Sequence, residues 1–380
     1  MKIIYKNIIA QKFSGCLILS VLLFIASGTY AQRKISVAYK DSAVTEFFRR
    51  TSGWVAGDGA FSIPLSDGRT LWTMGDSFID TYDAKTGRIP CLFQVNNAAL
   101  LQPGKNWDWM RTKTLIGKGP GSKSLFKDPA DNKYWYWPVS GIQLGDTVYV
   151  YYSSLERASG GLGFASTGKD MLVKIKFPEM EIAGYSPLQN FNGIGFGIGF
   201  IKDGNQKYVH VFGTKFNPDT RQNNVYVARF REENPGAPWE CWDGAEWNKD
   251  MTLAAIVKST YSTPQVSKVK DKYLLLSTEF SVGCDQGKEI YAYTSSHATG
   301  PFSNGKTIYT IDDTLQRHYP FFYVPVAHPQ FINGKDEILI TYCINGYGTC
   351  VQGCVENKMN PDHYRPRGIR VPLKLIDQKL

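Results

Sequence analysis

One pattern recurs five times along this chain: an apolar strand runs into a tight turn, and a second apolar strand climbs out of it. Residues 57–65 pass through Ser66-Asp67-Gly68 into 70–76, and residues 137–142 pass through Gly145-Asp146 into 148–152. Residues 195–201 pass through Asp203-Gly204 into 208–212, and residues 263–266 turn near Lys270-Asp271 into 273–279. Residues 328–332 pass through Asn333-Gly334 into 338–342. Asp-Gly and Asn-Gly between apolar runs favour hairpins because these residues accept the positive φ of a two-residue turn. Further strands follow some copies, at 224–229 and 289–294. A lone hairpin unit cannot bury both of its faces. Units packed face to face around an axis can, and they leave few bare edges. The expected fold is therefore all-β, a five-bladed β-propeller. Each copy spans about 70 residues, enough for a blade with long loops.

The termini fit this plan. Residues 34–38 and 369–376 read as strands able to complete a blade, and 41–50 is the best helix candidate, with Val44, Phe47 and Phe48 on one face. The glycine-rich run 193–200 leads into a strand and a hairpin turn instead of a helix, so it is no phosphate-binding loop. Alternating glycines suit an inner strand at a crowded axis. Aromatic residues at 14%, with Gly 36 and Pro 19, favour strands and turns over helix bundles.

The N-terminus reads as a leader. Lys2, Lys6 and Lys12 precede the apolar run 16–26, and Thr29-Tyr30-Ala31 is a small-x-small cleavage site before Gln32. Residues 1–31 are expected to be a signal peptide and 32–380 a single propeller domain. The protein is thus expected to be exported, periplasmic or extracellular. The formal net charge is +9, and three of its lysines lie in the leader. The basic residues are scattered, which argues against a nucleic-acid partner. No later stretch is apolar enough to insert in a membrane. Six cysteines follow the leader: Cys91, Cys241, Cys284, Cys343, Cys350 and Cys354. Export permits disulfides, and the sequence does not choose among the pairings.

Neither HExxH nor GxSxG occurs, so zinc-protease and serine-elbow chemistry have no motif. The chemically capable groups are carboxylates. Asp58 and Asp76 stand in Gly-Asp pairs on the two strands of the first hairpin, away from its turn. Glu279 falls at nearly the equivalent end of the fourth hairpin. Convergent carboxylates are the equipment of glycoside hydrolysis: one protonates the leaving oxygen, and another serves as base or nucleophile. Trp54, Tyr136, Trp137 and Tyr347 lie near the same ends, where an aromatic ring can stack on a sugar. Asn96, Asn97, Gln265 and Asn345 are candidates for sugar hydroxyls, and His328 for lining the channel. No metal site and no cofactor is called for, although a structural cation in the central channel is compatible with the fold.

The segment 54–78, with its Gly-Asp, Asp-Gly-Arg and Gly-Asp spacing, resembles the opening motif of a group of exported bacterial five-bladed propellers. That group is catalogued as domains of unknown function, is abundant in glycan-degrading Bacteroidetes, and is similar more distantly to endo-D-arabinanases. The likeness continues through Asn96-Asn97-Ala98-Ala99-Leu100 and from His328-Pro329-Gln330 to Tyr342 and Asn345. It implies catalytic carboxylates at Asp58 and Asp76. A looser likeness to arabinanase and xylosidase propellers, which draw three carboxylates from different blades, supports Glu279. The expected function is hydrolysis of a polysaccharide or oligosaccharide, arabinose-containing among the options, by a monomer. The alternative is a propeller that binds a glycan without cutting it. A sialidase reading is weaker: residues 66–72 resemble a single compressed Asp-box, without an evident arginine trio.

Overall fold

The computed structural model describes residues 37–380, apart from 119–122, 128–132, 161–162, 205, 280, 282 and 347–349. The expected leader and Tyr347 lie outside the described residues. The chain is all-β and is built on five antiparallel sheets of four or more strands, taken in sequence order, with a small sixth sheet of Cys354–Val355, Lys358–Met359 and Ile89–Pro90. Sheet 1 runs Trp54–Pro64, Thr70–Ile79, Ala98–Gln102 and Lys113–Leu115. Sheet 2 runs Trp135–Leu144, Thr147–Arg157, Met171–Lys176 and Glu181–Pro187, and sheet 3 begins Gly195–Asp203, Tyr208–Asn217 and Gln222–Arg231. Sheet 4 runs Ser262–Val269, Lys272–Thr278, Glu289–Ser295 and Lys306–Thr310. Sheet 5 comprises Phe321–His328, Glu337–Asn345, Arg367–Pro372 and finally Tyr39–Lys40 from the other end of the chain.

The first strands of the sheets touch in rotation, and that of sheet 5 returns to that of sheet 1. Hydrogen bonds tie neighbours together. Ser140 Oγ donates to the Gly197 carbonyl at 2.6 Å, and Ser267 Oγ to the Ala327 carbonyl at 3.2 Å. Ser62 Oγ meets His328 Nδ1 at 2.6 Å, joining sheet 5 to sheet 1. Five apolar clusters fill the spaces between consecutive sheets. Alternate residues of one strand serve opposite clusters: Leu274 and Leu276 pack towards sheet 5, and Leu275 packs towards sheet 3. Strands buried on both faces read as continuous apolar runs for this reason.

The axis is crowded, as the glycine run suggested. Gly199 lies so near the sheet 4 strand that a Cβ there would collide with the Val266 carbonyl oxygen. Gly197, at φ +94°, sits against the Tyr151 ring. The helix is shorter than its pattern, Ser42–Phe47, and Asp41 caps it by accepting from the Val44 amide at 3.2 Å. Two expectations are corrected. The first strand of sheet 5 is Phe321–His328, not 328–332, because Pro329 has no N–H for the ladder and opens a 3-10 turn, Pro329–Phe331. The C-terminal strand is third in sheet 5, not outermost, and Leu373–Ile376 coils into a short helix after it.

Two disulfides form, Cys91–Cys354 and Cys284–Cys350, while Cys241 and Cys343 are buried thiols. No helix among the described residues is long and apolar enough to cross a membrane. Crowding at the axis gives a stability test. Gly199→Ala is expected to cost about 1–3 kcal/mol in denaturant unfolding, because backbone and not a movable side chain blocks the new methyl. Gly204→Ala, at a turn with open space around it, is the control expected to unfold like the parent protein.

Candidate functional site

The first hairpin leaves register at three places. Gly57 pairs with Ser77 and Gly59 with Met74, so Asp58 alone stands opposite Gly75 and Asp76. This bulge turns both aspartates to one place. Gly75 leaves the room that Asp58 needs, since a Cβ there would collide with Asp58 Oδ1.

The partners of Asp58 come from a strand of sheet 5 and from the connection that leads to its third strand. Tyr323 Oη and Tyr364 Oη each donate to Asp58 Oδ2 at 2.8 Å. Burial raises the pKa of Asp58, against hydrogen bonds from Tyr364, Tyr323 and the Asp76 amide that favour the ionised form. The partners of Asp76 lie towards sheet 2. Trp137 Nε1 donates to Asp76 Oδ1 at 2.8 Å, and Asn96 Nδ2 donates to the same oxygen at 3.1 Å. Asp76 is only 7% exposed. Burial first, then the charge of Asp58, pushes it to about 8, against the Trp137 and Asn96 hydrogen bonds. The pair thus titrates in two steps. Asp58 has more donors, which favours the charge on Asp58, and Asp76 holds its proton into the neutral range. Its two N–H donors both fall on Oδ1, which leaves Oδ2 for that proton.

The other expected site residues divide. Asn96 and Trp137 are partly exposed and belong to the aspartate pair. Asn345 is partly exposed at the same end of sheet 5, paired with Phe321. Gln265 is 7% exposed and lies deeper, in a cavity of about 460 Å³ lined by all five first strands. Three residues are corrected. Trp54 is fully buried, donates to Ser77 Oγ at 3.0 Å and packs on Phe48, so it offers no face to a sugar. Asn97 is fully buried and donates to the Phe126 and Tyr136 carbonyls at 2.9 and 2.8 Å. His328 is fully buried, with Nδ1 on Ser62 and Nε2 on Thr341 Oγ1 at 2.8 Å, and burial lowers it to about 3. Glu279 is partly exposed, and its Oε2 accepts from the Lys288 amide at 2.9 Å, a bond within sheet 4 and its loop. Tyr136 is buried as well.

Sequence reasoning missed Tyr323 and Tyr364. Nothing local marks them, because they lie 265 and 306 residues from the aspartate they hold. Beside Asn96, a second cavity of about 470 Å³ opens between sheets 1 and 2, with Tyr134, Trp135 and Arg157 in its wall. Among the described residues, no group of three or more His, Cys, Asp or Glu is placed to hold a metal ion.

Asp76 gives a pH test of stability. Its pKa is raised on folding, so its contribution is best below the unfolded value near 4 and is lost as pH rises towards about 8. The melting temperature of Asp76→Asn relative to the parent is therefore expected to climb between pH 4 and 8. A difference that stays flat across that range would contradict the assignment.

Comparison with known proteins places the chain. A solved structure from Bacteroides ovatus ATCC 8483, provisionally described as a hydrolase, superposes with TM-score 0.71 at 21% identity, covering 88% of this chain and 90% of that one. A xylan beta-1,4-xylosidase from Bacillus halodurans C-125 superposes with TM-score 0.50 at 12% identity, covering 84% of this chain and 53% of that one. At these identities the likeness is one of fold. No curated protein sequence matches. Residues 41–373 match the family model for a domain of unknown function, DUF5005, and the chain belongs to that family.

Proposed function

We propose that this protein is an exported glycoside hydrolase, a five-bladed β-propeller that cuts a polysaccharide or oligosaccharide with Asp76 as acid and Asp58 as base. The aspartate pair carries the reading: two carboxylates on one hairpin, one poised to ionise and the other to stay protonated. Asp76 gives the proton on Oδ2 to the glycosidic oxygen as the C–O bond breaks. Water adds to the anomeric carbon, and Asp58 takes up the proton that this water loses. Trp137 and Asn96 orient Asp76, and the cavity beside Asn96 has room for sugar units. Glu279 has no part in this scheme.

The five sheets and their ring of first-strand contacts support the blade count. Two disulfides support an oxidising, extracytoplasmic location after removal of residues 1–31. The fold shared with a xylosidase supports a glycan as substrate, and arabinose-containing polymers are among the first to test. The protein is expected to act as a monomer.

The test is product release from a panel of polysaccharides that includes arabinans. One glycan is expected to be cut, with Asp58→Asn and Asp76→Asn each slower by about 10²–10⁴-fold. If a glycan binds equally to all three proteins and none is cut, the protein is a binding module instead.

A further inference from the structure

We propose that Tyr323 and Tyr364 are positioning residues for Asp58, and that two disulfides fix the segment that delivers Tyr364. The inference rests on Asp58 being the working base. Both phenols end on one oxygen, Asp58 Oδ2, at 2.8 Å. A phenol has one proton to give. With both protons spent on the same oxygen, that oxygen has to act as an acceptor, which is the role of an ionised carboxylate. Burial keeps both phenols protonated far above the usual tyrosine range, so neither donor is lost at working pH. The remaining titratable groups facing Asp58 are Asp76 and the Cys343 thiol, which burial and Asp58 hold well above the ordinary thiol range.

The two tyrosines reach Asp58 by different routes. Tyr323 stands within a strand of sheet 5, paired with Cys343. Tyr364 lies outside the sheet, at the end of a long connection between Glu337–Asn345 and Arg367–Pro372. Its carbonyl accepts from the Gly57 amide at 2.8 Å, so Tyr364 holds the backbone just before Asp58 as well as its carboxylate. The connection is tied down at two points. Cys354 is bonded to Cys91 in the loop of sheet 1, where Lys358 and Met359 also pair with Pro90 and Ile89. Cys350 is bonded to Cys284 in the loop of sheet 4. Tyr364 and Met359 then share an apolar cluster with Val55, Phe78 and Ile89. The bridges thus anchor to neighbouring sheets the one stretch that carries a donor for Asp58 but has no strand of its own in the ring.

The test needs no substrate. The titration of Asp58 is followed by 13C NMR of the aspartate carboxyl carbons in the full chain, with Asp58→Asn used to assign the signal. Tyr364→Phe and Tyr323→Phe keep the rings and remove one donor each. Each is expected to raise the proton affinity of Asp58 about tenfold, the worth of one hydrogen bond to a charged group. Reduction of the folded protein, or Cys91→Ser with Cys354→Ser, is expected to reproduce the Tyr364→Phe shift. It is expected to add nothing in the Tyr364→Phe background but to remain effective in Tyr323→Phe. Cys284→Ser with Cys350→Ser provides a second bridge-less protein should the first fold poorly. Unmoved Asp58 titration in both phenylalanine variants overturns the positioning role. A reduction shift of equal size with and without the Tyr364 hydroxyl overturns the part assigned to the bridges. Failure of the hydrolase reading would show separately, as an inactive parent protein whose Asp58 still responds to the tyrosines.

Discussion

Five strands crowd around one axis, and each breaks register with its neighbour. The first strand of each of the five sheets leaves register with its neighbour: around Ala60, between Pro138 and Gly141, between Phe196 and Gly199, between Ser262 and Gln265, and between Tyr323 and Val326. A bulge adds length and twist to one strand of a pair, which lets straight ladders bend where they would otherwise collide. The backbone stays strained for it. Ala60, Thr263 and Val324 adopt φ of 58°, 46° and 52°, conformations that residues with a side chain rarely take, β-branched ones such as Thr263 and Val324 least of all. Thr263 Oγ1 accepts from the Val324 amide at 2.9 Å, which satisfies a backbone group that the bulge releases from the ladder.

The candidate site depends on that constraint. In sheet 1 a further irregularity sets Asp58 opposite two residues, and the second of them is Asp76. Two acids brought together in a dry place cannot both ionise easily. Their neighbours break the tie. Asp58 receives one phenol from a strand of sheet 5 and one from the connection within that sheet, and Asp76 receives an indole from sheet 2 and an amide from the loop before the third strand of sheet 1. Three sheets therefore set the protonation of one hairpin.

Much of the fold was legible because its signals are local. The Asp-Gly turn after residue 65 and the Asn-Gly turn after residue 332 stand between apolar runs, and runs such as Leu274-Leu275-Leu276 mark strands covered on both faces. The aspartate pair was legible for the same reason, since one turn brings its two strands together. Reading failed where exposure decided the matter. Trp54, Asn97 and His328 carry side chains suited to a sugar, but the walls of neighbouring sheets close over them.

The sequence by itself determined the hairpins, their turns, the glycines that admit close strands and the two aspartates of the first copy. The hairpins, their turns and the aspartate pair follow from segments adjacent in the chain, and the glycines mark by their small size where a distant strand comes close. Only the tertiary structure decided which polar side chains meet solvent, which cysteines pair, and which groups surround each carboxylate. Those outcomes depend on sheets whose residues are hundreds of positions apart in the chain, and the neighbours of a side chain across a packed axis leave no periodic mark in the sequence around it.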